Sequence, residues 1–202
     1  MAKLLVYYAH PGHRHSKANR AMLAQAKNVN DITLVDLYAE YPRFGINPDR
    51  EQARLLAHDI ILFQFPLFWY STPSLLKEWQ DIVLEHGWAY GADGDKLKGK
   101  TMMIALTAAG PRDAYSTDGY QGFELRTFLT PLERTAKLCH MEFSPPFVLF
   151  ESLLAPTTGL EKTHAQAYRD LLQAVRDDQY DFVKAAGHDV VTLDTLPLLT
   201  GE

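Results

Sequence analysis

Lys3-Leu4-Leu5-Val6-Tyr7-Tyr8-Ala9-His10-Pro11-Gly12-His13-Arg14-His15-Ser16-Lys17-Ala18-Asn19 is the stretch from which the rest of the chain can be ordered. The apolar run Leu4 to Ala9 stops at His10-Pro11-Gly12. Ala18, Ala21, Met22, Leu23 and Ala26 then recur at helical spacing. A short apolar run, a Pro-Gly break and a 3.6-residue period predict a buried strand, a loop and a helix, with Ser16 as N-cap. The first turn of a helix has unpaired N–H groups and the positive end of its dipole, and Arg14 and Lys17 add charge, so an anion such as phosphate fits this loop. An ordinary capped strand-to-helix turn explains Ser16 equally well at this point. The loop is neither G-x-G-x-x-G nor G-x-x-x-x-G-K-S/T, so no dinucleotide or P-loop fingerprint decides between them.

Working outward, Asp31 to Leu37 alternates apolar and polar residues, as an edge strand does, and Tyr38 to Ile46 reads as a loop. Asn47-Pro48 starts a helix over Asp49 to His58, with asparagine as cap and proline in the first turn. Asp59 to Phe65 is almost unbroken apolar sequence, the mark of a strand covered on both faces. Thr72-Pro73 opens a helix carrying Leu75, Leu76, Trp79, Ile82 and Val83, and the glycine-rich segment Gly87 to Gly99 is a loop. Thr101 to Thr107 is a fourth strand. A helix from about Phe123 to Leu138 should bend or divide at Pro131, and Pro145-Pro146 restricts a fifth strand to the later half of Phe143 to Phe150. Gly159 to Ala186 reads as one long helix ended by Gly187. Strands alternating with helices predict an α/β domain over residues 1–186, a parallel sheet between two helical layers, followed by a tail over 187–202.

The 202-residue chain suits one domain with a substantial core. Its net charge of −5 and pI of about 5.9, with no Lys/Arg cluster, argue against nucleic acid as partner and favour a small ligand. A single cysteine, Cys139, excludes an internal disulfide and suits a reducing compartment, so the cytoplasm is the expected location. The apolar run after Met1-Ala2-Lys3 is far shorter than the roughly 18 residues a membrane span needs. His10, His13 and His15 crowd one loop, but no carboxylate or cysteine beside them completes a metal set.

Ligands of open parallel sheets bind beyond the carboxyl ends of the strands, where strand order reverses. Three strand ends should converge there, at His10 to Asn19, Pro66 to Ser71 and Thr107 to Gly122. The second loop has Phe68, Trp69 and Tyr70 in a row. Consecutive residues cannot all enter one core, so Trp69 and Tyr70 are candidates to cover a flat apolar ligand, while core packing explains Phe68 as well. The third loop has small residues that let backbone N–H groups approach a ligand. Phosphate at one end and a flat ring at the other describe a mononucleotide such as a flavin.

At these residues the chain resembles the flavodoxin-like NAD(P)H:quinone oxidoreductases, especially their branch of ancillary proteins of glutathione-regulated potassium-efflux systems. The matches are His10-Pro11 with Ser16-x-x-Asn19; Pro66-x-x-Trp69-Tyr70; Leu76-Lys77-x-Trp79 with His86-Gly87-Trp88-Ala89-Tyr90-Gly91; and Thr107-x-x-Gly110 with Tyr115, Gly119 and Gly122. The resemblance implies a flavodoxin-like three-layer sandwich with a five-stranded parallel sheet, a homodimer with its active site at the interface, and bound FMN, with FAD as the alternative. Carried over, His10, Ser16, Lys17, Ala18 and Asn19 hold the flavin phosphate. Leu67, Phe68, Trp69 and Tyr70 line the ring, and Thr107, Ala108, Ala109 and Gly110 bond its pyrimidine edge.

Two departures from the family pattern stand out. Relatives often have Thr-Thr-Gly-Gly where this chain has Thr107-Ala108-Ala109-Gly110, and they pair a tyrosine matching Tyr115 with a histidine where this chain has Gln121. Glutamine donates a hydrogen bond but cannot relay a proton at neutral pH. The expected activity is two-electron reduction of quinones or similar electrophiles by NAD(P)H through a ping-pong route, with Tyr115 and Gln121 beside the flavin. The first rival is a regulatory subunit of a potassium-efflux antiporter, held at the inner membrane by that partner. The second is a flavodoxin-type electron carrier, which the modest charge disfavours.

Overall fold

The computed structural model describes residues 1–199. In chain order the elements are β1 (Leu4–Tyr8), α1 (Ala18–Ala26), β2 (Thr33–Asp36), α2 (Leu37–Glu40), α3 (Pro48–Ala57), β3 (Ile60–Pro66) and α4 (Ser74–Val83). They continue with β4 (Thr101–Thr107), α5 (Thr130–Leu138), β5 (Glu142–Phe143), β6 (Phe147–Leu149), α6 (Ala155–Thr158), α7 (Leu160–Arg176) and α8 (Phe182–Ala186). All strand pairs are parallel, in the order β2-β1-β3-β4-β5, and β6 also pairs with β4. This is a flavodoxin-like sheet of five strands plus one more. Strand order reverses at β1, which has β2 on one side and β3 on the other.

Alternation along the buried strands sends side chains to two cores. Leu5, Tyr7, Ile61, Phe63, Phe65, Ile104 and Leu106 meet Leu55 of α3, Leu75, Leu76, Trp79 and Val83 of α4, and Ala136 of α5. Leu4, Val6, Leu62, Met103 and Ala105 meet Met22 and Ala26 of α1 and Ala165, Tyr168, Leu171, Leu172 and Val175 of α7. Each large side chain so buried contributes about 1.5–3 kcal/mol. One charged group lies inside the first core. Glu51 of α3 is fully buried and accepts from Tyr7 Oη and Tyr41 Oη at 2.5 Å, Arg54 Nη1 at 2.6 Å and Trp79 Nε1 at 3.1 Å. These four donors satisfy the carboxylate and tie α3 and α4 to β1.

Several local readings change. The loop expected over Tyr38 to Ile46 begins as a helical turn, α2, because the Asp36 side chain accepts from the Tyr38 and Ala39 N–H groups at its start. The strand expected from Asp31 to Leu37 is shorter, since Asp31 takes a left-handed φ of 59°. Pro131 sits in the first turn of α5, after a 3-10 turn at Leu125–Leu129, where its missing N–H costs nothing. The fifth strand position holds two short strands, because Pro145 and Pro146 cannot donate to a ladder. The single helix expected over Gly159 to Ala186 is broken after Arg176, where Asp178 is left-handed at φ 56° and the chain turns into α8. Beyond α8, Val191 and Phe147 form a parallel bridge, and Tyr180 and Leu198 an antiparallel one.

Candidate active site

The carboxyl ends of β1, β3 and β4 open on a cleft of about 410 Å³. It is lined by His10, Gly12, His15, Ser16, Lys17, Ala18, Asn19, Pro66, Phe68, Thr107, Ser152, Leu153 and Pro156. Past Tyr8 the chain makes a 3-10 turn at His13–His15, pinned by a 2.8 Å hydrogen bond between Tyr8 Oη and His13 Nδ1. Ser16 has extended backbone, and its Oγ accepts the Asn19 N–H at 3.2 Å, so it caps α1 as its position predicts. Among the described residues the Lys17 and Ala18 N–H groups find no acceptor.

Each remaining polar group of the cleft has a fixed role. Gly12 N–H donates to His10 Nδ1 at 3.1 Å, which leaves the proton of the neutral ring on Nε2. Burial, assisted by neighbouring His13, lowers the His10 pKa, so the ring is neutral at neutral pH. Asn19 Nδ2 donates to Thr107 Oγ1 at 2.8 Å, and Gln64 Nε2 donates to the Asn19 carbonyl at 3.1 Å. Among the described residues no carboxylate lines the cleft, whereas Lys17 does. The arrangement therefore offers donors and positive charge, the chemistry of an anion site.

An aromatic rim lies next to it. Phe68 and Ser71 exchange both backbone hydrogen bonds around a two-residue turn, with Trp69 at φ 48° and Tyr70 at φ 63°. That geometry holds Trp69 out at 93% exposure. The Tyr70 ring lies 4.9 Å from Phe128, which contacts Tyr115 at 6.2 Å, and Tyr115 in turn contacts Phe150 at 5.7 Å. Burial raises the Tyr115 pKa, opposed by the Gly110 amide, so its hydroxyl stays protonated. A Cβ on Gly110 would lie 2.7 Å from Tyr120 Oη, the end of an exposed side chain free to move, and 3.2 Å from Tyr115 Cε2.

The structure thus gathers His10, Ser16, Lys17, Ala18, Asn19, Phe68 and Thr107 around one cleft, and Tyr70 and Tyr115 along the rim beside it. Leu67 packs against the core and donates its N–H to the Thr107 carbonyl. Ala108 is fully committed elsewhere: its N–H donates to Leu149, its carbonyl accepts from Ser152 and its side chain is buried. Among the described residues the Ala109 N–H of that turn finds no acceptor, and the Gly110 amide faces the Tyr115 hydroxyl. Gln121 is half-buried and donates its N–H to the Ala114 carbonyl. Sequence reasoning missed Ser152, Leu153 and Pro156, which close the cleft from the β6–α6 side. It also missed Gln64, hidden in an apolar strand. Cys139 is buried in the core, which raises its thiol to about 11. Among the described residues, no helix is long and apolar enough to cross a membrane.

A parallel α/β sandwich with strand order β2-β1-β3-β4-β5 and a cleft at its switch point has the flavodoxin-like fold. The chain belongs to the flavodoxin-like fold family, whose profile matches residues 2–175. It is 42% identical to the glutathione-regulated potassium-efflux system ancillary protein KefG of Cronobacter sakazakii over 167 residues, 83% of this chain and 90% of that one. Among solved structures, general stress protein 14 of Treponema denticola, in complex with FMN, is 34% identical with a TM-score of 0.80, covering 86% of this chain and 99% of its own. An NADPH-quinone reductase from P. pentosaceus is 26% identical with a TM-score of 0.70, covering 83% and 95%.

Proposed function

We propose that this protein is an FMN-dependent NAD(P)H oxidoreductase that reduces quinones or similar small electrophiles by two electrons. The observation that carries the reading is the cleft itself: its fixed polar groups donate, no acid lines it, and an exposed aromatic turn adjoins it. A phosphate ester attached to a flat ring matches both halves, and the FMN found with the Treponema denticola relative supports that choice over FAD. His10, Ser16, Lys17, Ala18 and Asn19 would hold the phosphate. Leu67 to Tyr70 would flank the ring, and the Ala109 N–H, with the Tyr115 hydroxyl that the Gly110 amide faces, would meet its polar edge. When bound, FMN supplies hydride acceptance from NAD(P)H and hydride return to the acceptor, the two substrates using one place in turn.

The protein's own contribution is position and electrostatics. Amides fixed by the turn at Ala109 and Gly110 cost no reorganisation when negative charge develops nearby. Tyr115 keeps its proton at Oη and can donate without ionising. Gln121 donates but holds no transferable proton, so protons for the acceptor come from water. Trp69 shields the reacting face from solvent, and the exposed rim of Trp69, Tyr120 and Phe123 supports a homodimer that completes the site.

The test is the absorption spectrum of the purified protein, identification of whatever it releases on denaturation, and turnover with NADH or NADPH and a quinone. A colourless protein that takes up no added FMN would overturn the reading. The ancillary relatives at 42% identity favour a second role, as a subunit of a potassium-efflux antiporter that would bring the chain to the inner membrane. Co-purification with that antiporter, compared with a variant unable to bind flavin, separates the two roles.

A further inference from the structure

We propose that Gln64 is a positioning residue: it fixes the direction of a hydrogen-bond chain so that the Thr107 hydroxyl meets the ligand only as a donor, which selects a phosphate. The ligand in this proposal rests on the flavin reading above, while its premises lie in the protein. Gln64 of β3 is completely buried and does not line the cleft. Its Nε2 is 3.1 Å from the Asn19 carbonyl oxygen and 3.4 Å from Asn19 Oδ1. A backbone carbonyl can only accept, so Gln64 must turn its nitrogen to α1. It does so although its own Oε1 is left buried without a partner, which costs about 1–3 kcal/mol.

The direction then propagates. Asn19 Oδ1 faces Gln64, so Asn19 Nδ2 faces Thr107 and donates to Oγ1 at 2.8 Å. Thr107 Oγ1 accepts that bond, and its proton is left for the cleft that the residue lines with Ser16, Lys17 and Ala18, on the phosphate side and not at the pyrimidine edge that the resemblance implied for it. Without the Gln64 amide, the Asn19 carboxamide could turn over and take the Thr107 proton onto Oδ1. The hydroxyl would then show the ligand a lone pair. A neutral hydroxyl on a ligand can bond to either arrangement, whereas an ionised phosphate oxygen requires a donor. Gln64, touching no ligand, would thus contribute to choosing FMN over riboflavin.

The experiment measures FMN and riboflavin affinity for the full chain and for Gln64→Met, in the native background and with Thr107→Val. We expect Gln64→Met to weaken FMN binding by about tenfold and riboflavin binding by less than about twofold, as one hydrogen bond to a charged group is worth. With Val at 107 the same change should cost less than about twofold, because the group through which Gln64 acts is gone. Equal losses for both flavins, or equal losses in both backgrounds, would overturn the proposal and leave Gln64 a support of the fold. The bond order is also read without flavin, by exchange of the side-chain amide protons in ligand-free, 15N-labelled protein. Asn19 Nδ2 protons should be protected and should lose protection in Gln64→Met; unchanged exchange overturns the proposal. If the native protein binds no FMN, the flavin reading fails, and this measurement still decides the direction of the chain.

Discussion

Asn19 Nδ2 donates to Thr107 Oγ1 at 2.8 Å across 88 positions of sequence, and this one bond joins the loop after β1 to the end of β4. Both residues are buried, so neither can exchange its partner for water without cost. Asn19→Ala should therefore leave buried Thr107 without its donor, while Gln64 keeps the backbone carbonyl of position 19. We expect a loss of about 1–3 kcal/mol in urea unfolding of the ligand-free protein and weaker FMN binding by fluorescence titration. Unchanged stability would mean that the bond does no structural work.

Glu51 makes a sharper case. Its carboxylate, with no exposed surface, is the acceptor for Tyr7, Tyr41, Trp79 and Arg54. Glu51→Gln puts an N–H₂ group where only donors point and leaves Arg54 with Glu40, at 3.3 Å, as its remaining counter-charge. The expected cost is about 3–5 kcal/mol, read from the denaturant midpoint at constant slope.

His164 sets a pH dependence. It is fully buried, stacked on Phe147 with ring centroids 4.4 Å apart, and neither ring nitrogen has a partner. Burial pushes its pKa from 6.5 down to about 3. Between those values the unfolded chain binds a proton that the folded chain refuses, so stability present above pH 6.5 is lost as pH falls towards 3. At about 1.4 kcal/mol per pH unit, this site alone should remove roughly 2 kcal/mol by pH 5. His164→Leu should flatten the decline, as measured by urea unfolding at pH 7 and pH 5; an identical decline in both proteins would place its cause elsewhere.

Trp69 is held at φ 48° with almost nothing packed against it. A bulky residue in the left-handed region costs about 1–3 kcal/mol, and asparagine tolerates it far better. Trp69→Asn should leave stability unchanged or raise it by about 1 kcal/mol while increasing the KM for a quinone. A matching loss of stability would assign Trp69 to packing instead of ligand contact.

What the sequence disclosed follows from the range of the forces involved. The apolar runs of β1 and β3, the Asn47-Pro48 helix start and the Ser16 cap depend on neighbours within a few residues, and each stands where its pattern puts it. The break after Arg176 was hidden because neither glycine nor proline occurs between Leu160 and Ala186 to mark the turn that the left-handed Asp178 creates. The pairing of Gln64 with Asn19 spans 45 positions, and nothing in either local pattern announces it. Likewise Ser152 and Leu153 join the cleft only because β6 lies beside β4.

The bridge between Val191 and Phe147 reaches beyond its own two residues. Val148 donates its N–H to the Val191 carbonyl, and Val191 donates to the carbonyl of Pro146. The outer margin of β6 is thereby occupied by the chain's own later residues, and the two prolines just before it have no N–H to recruit another strand. At β6 another chain has no ladder to extend, so self-association there must proceed through side-chain complementarity.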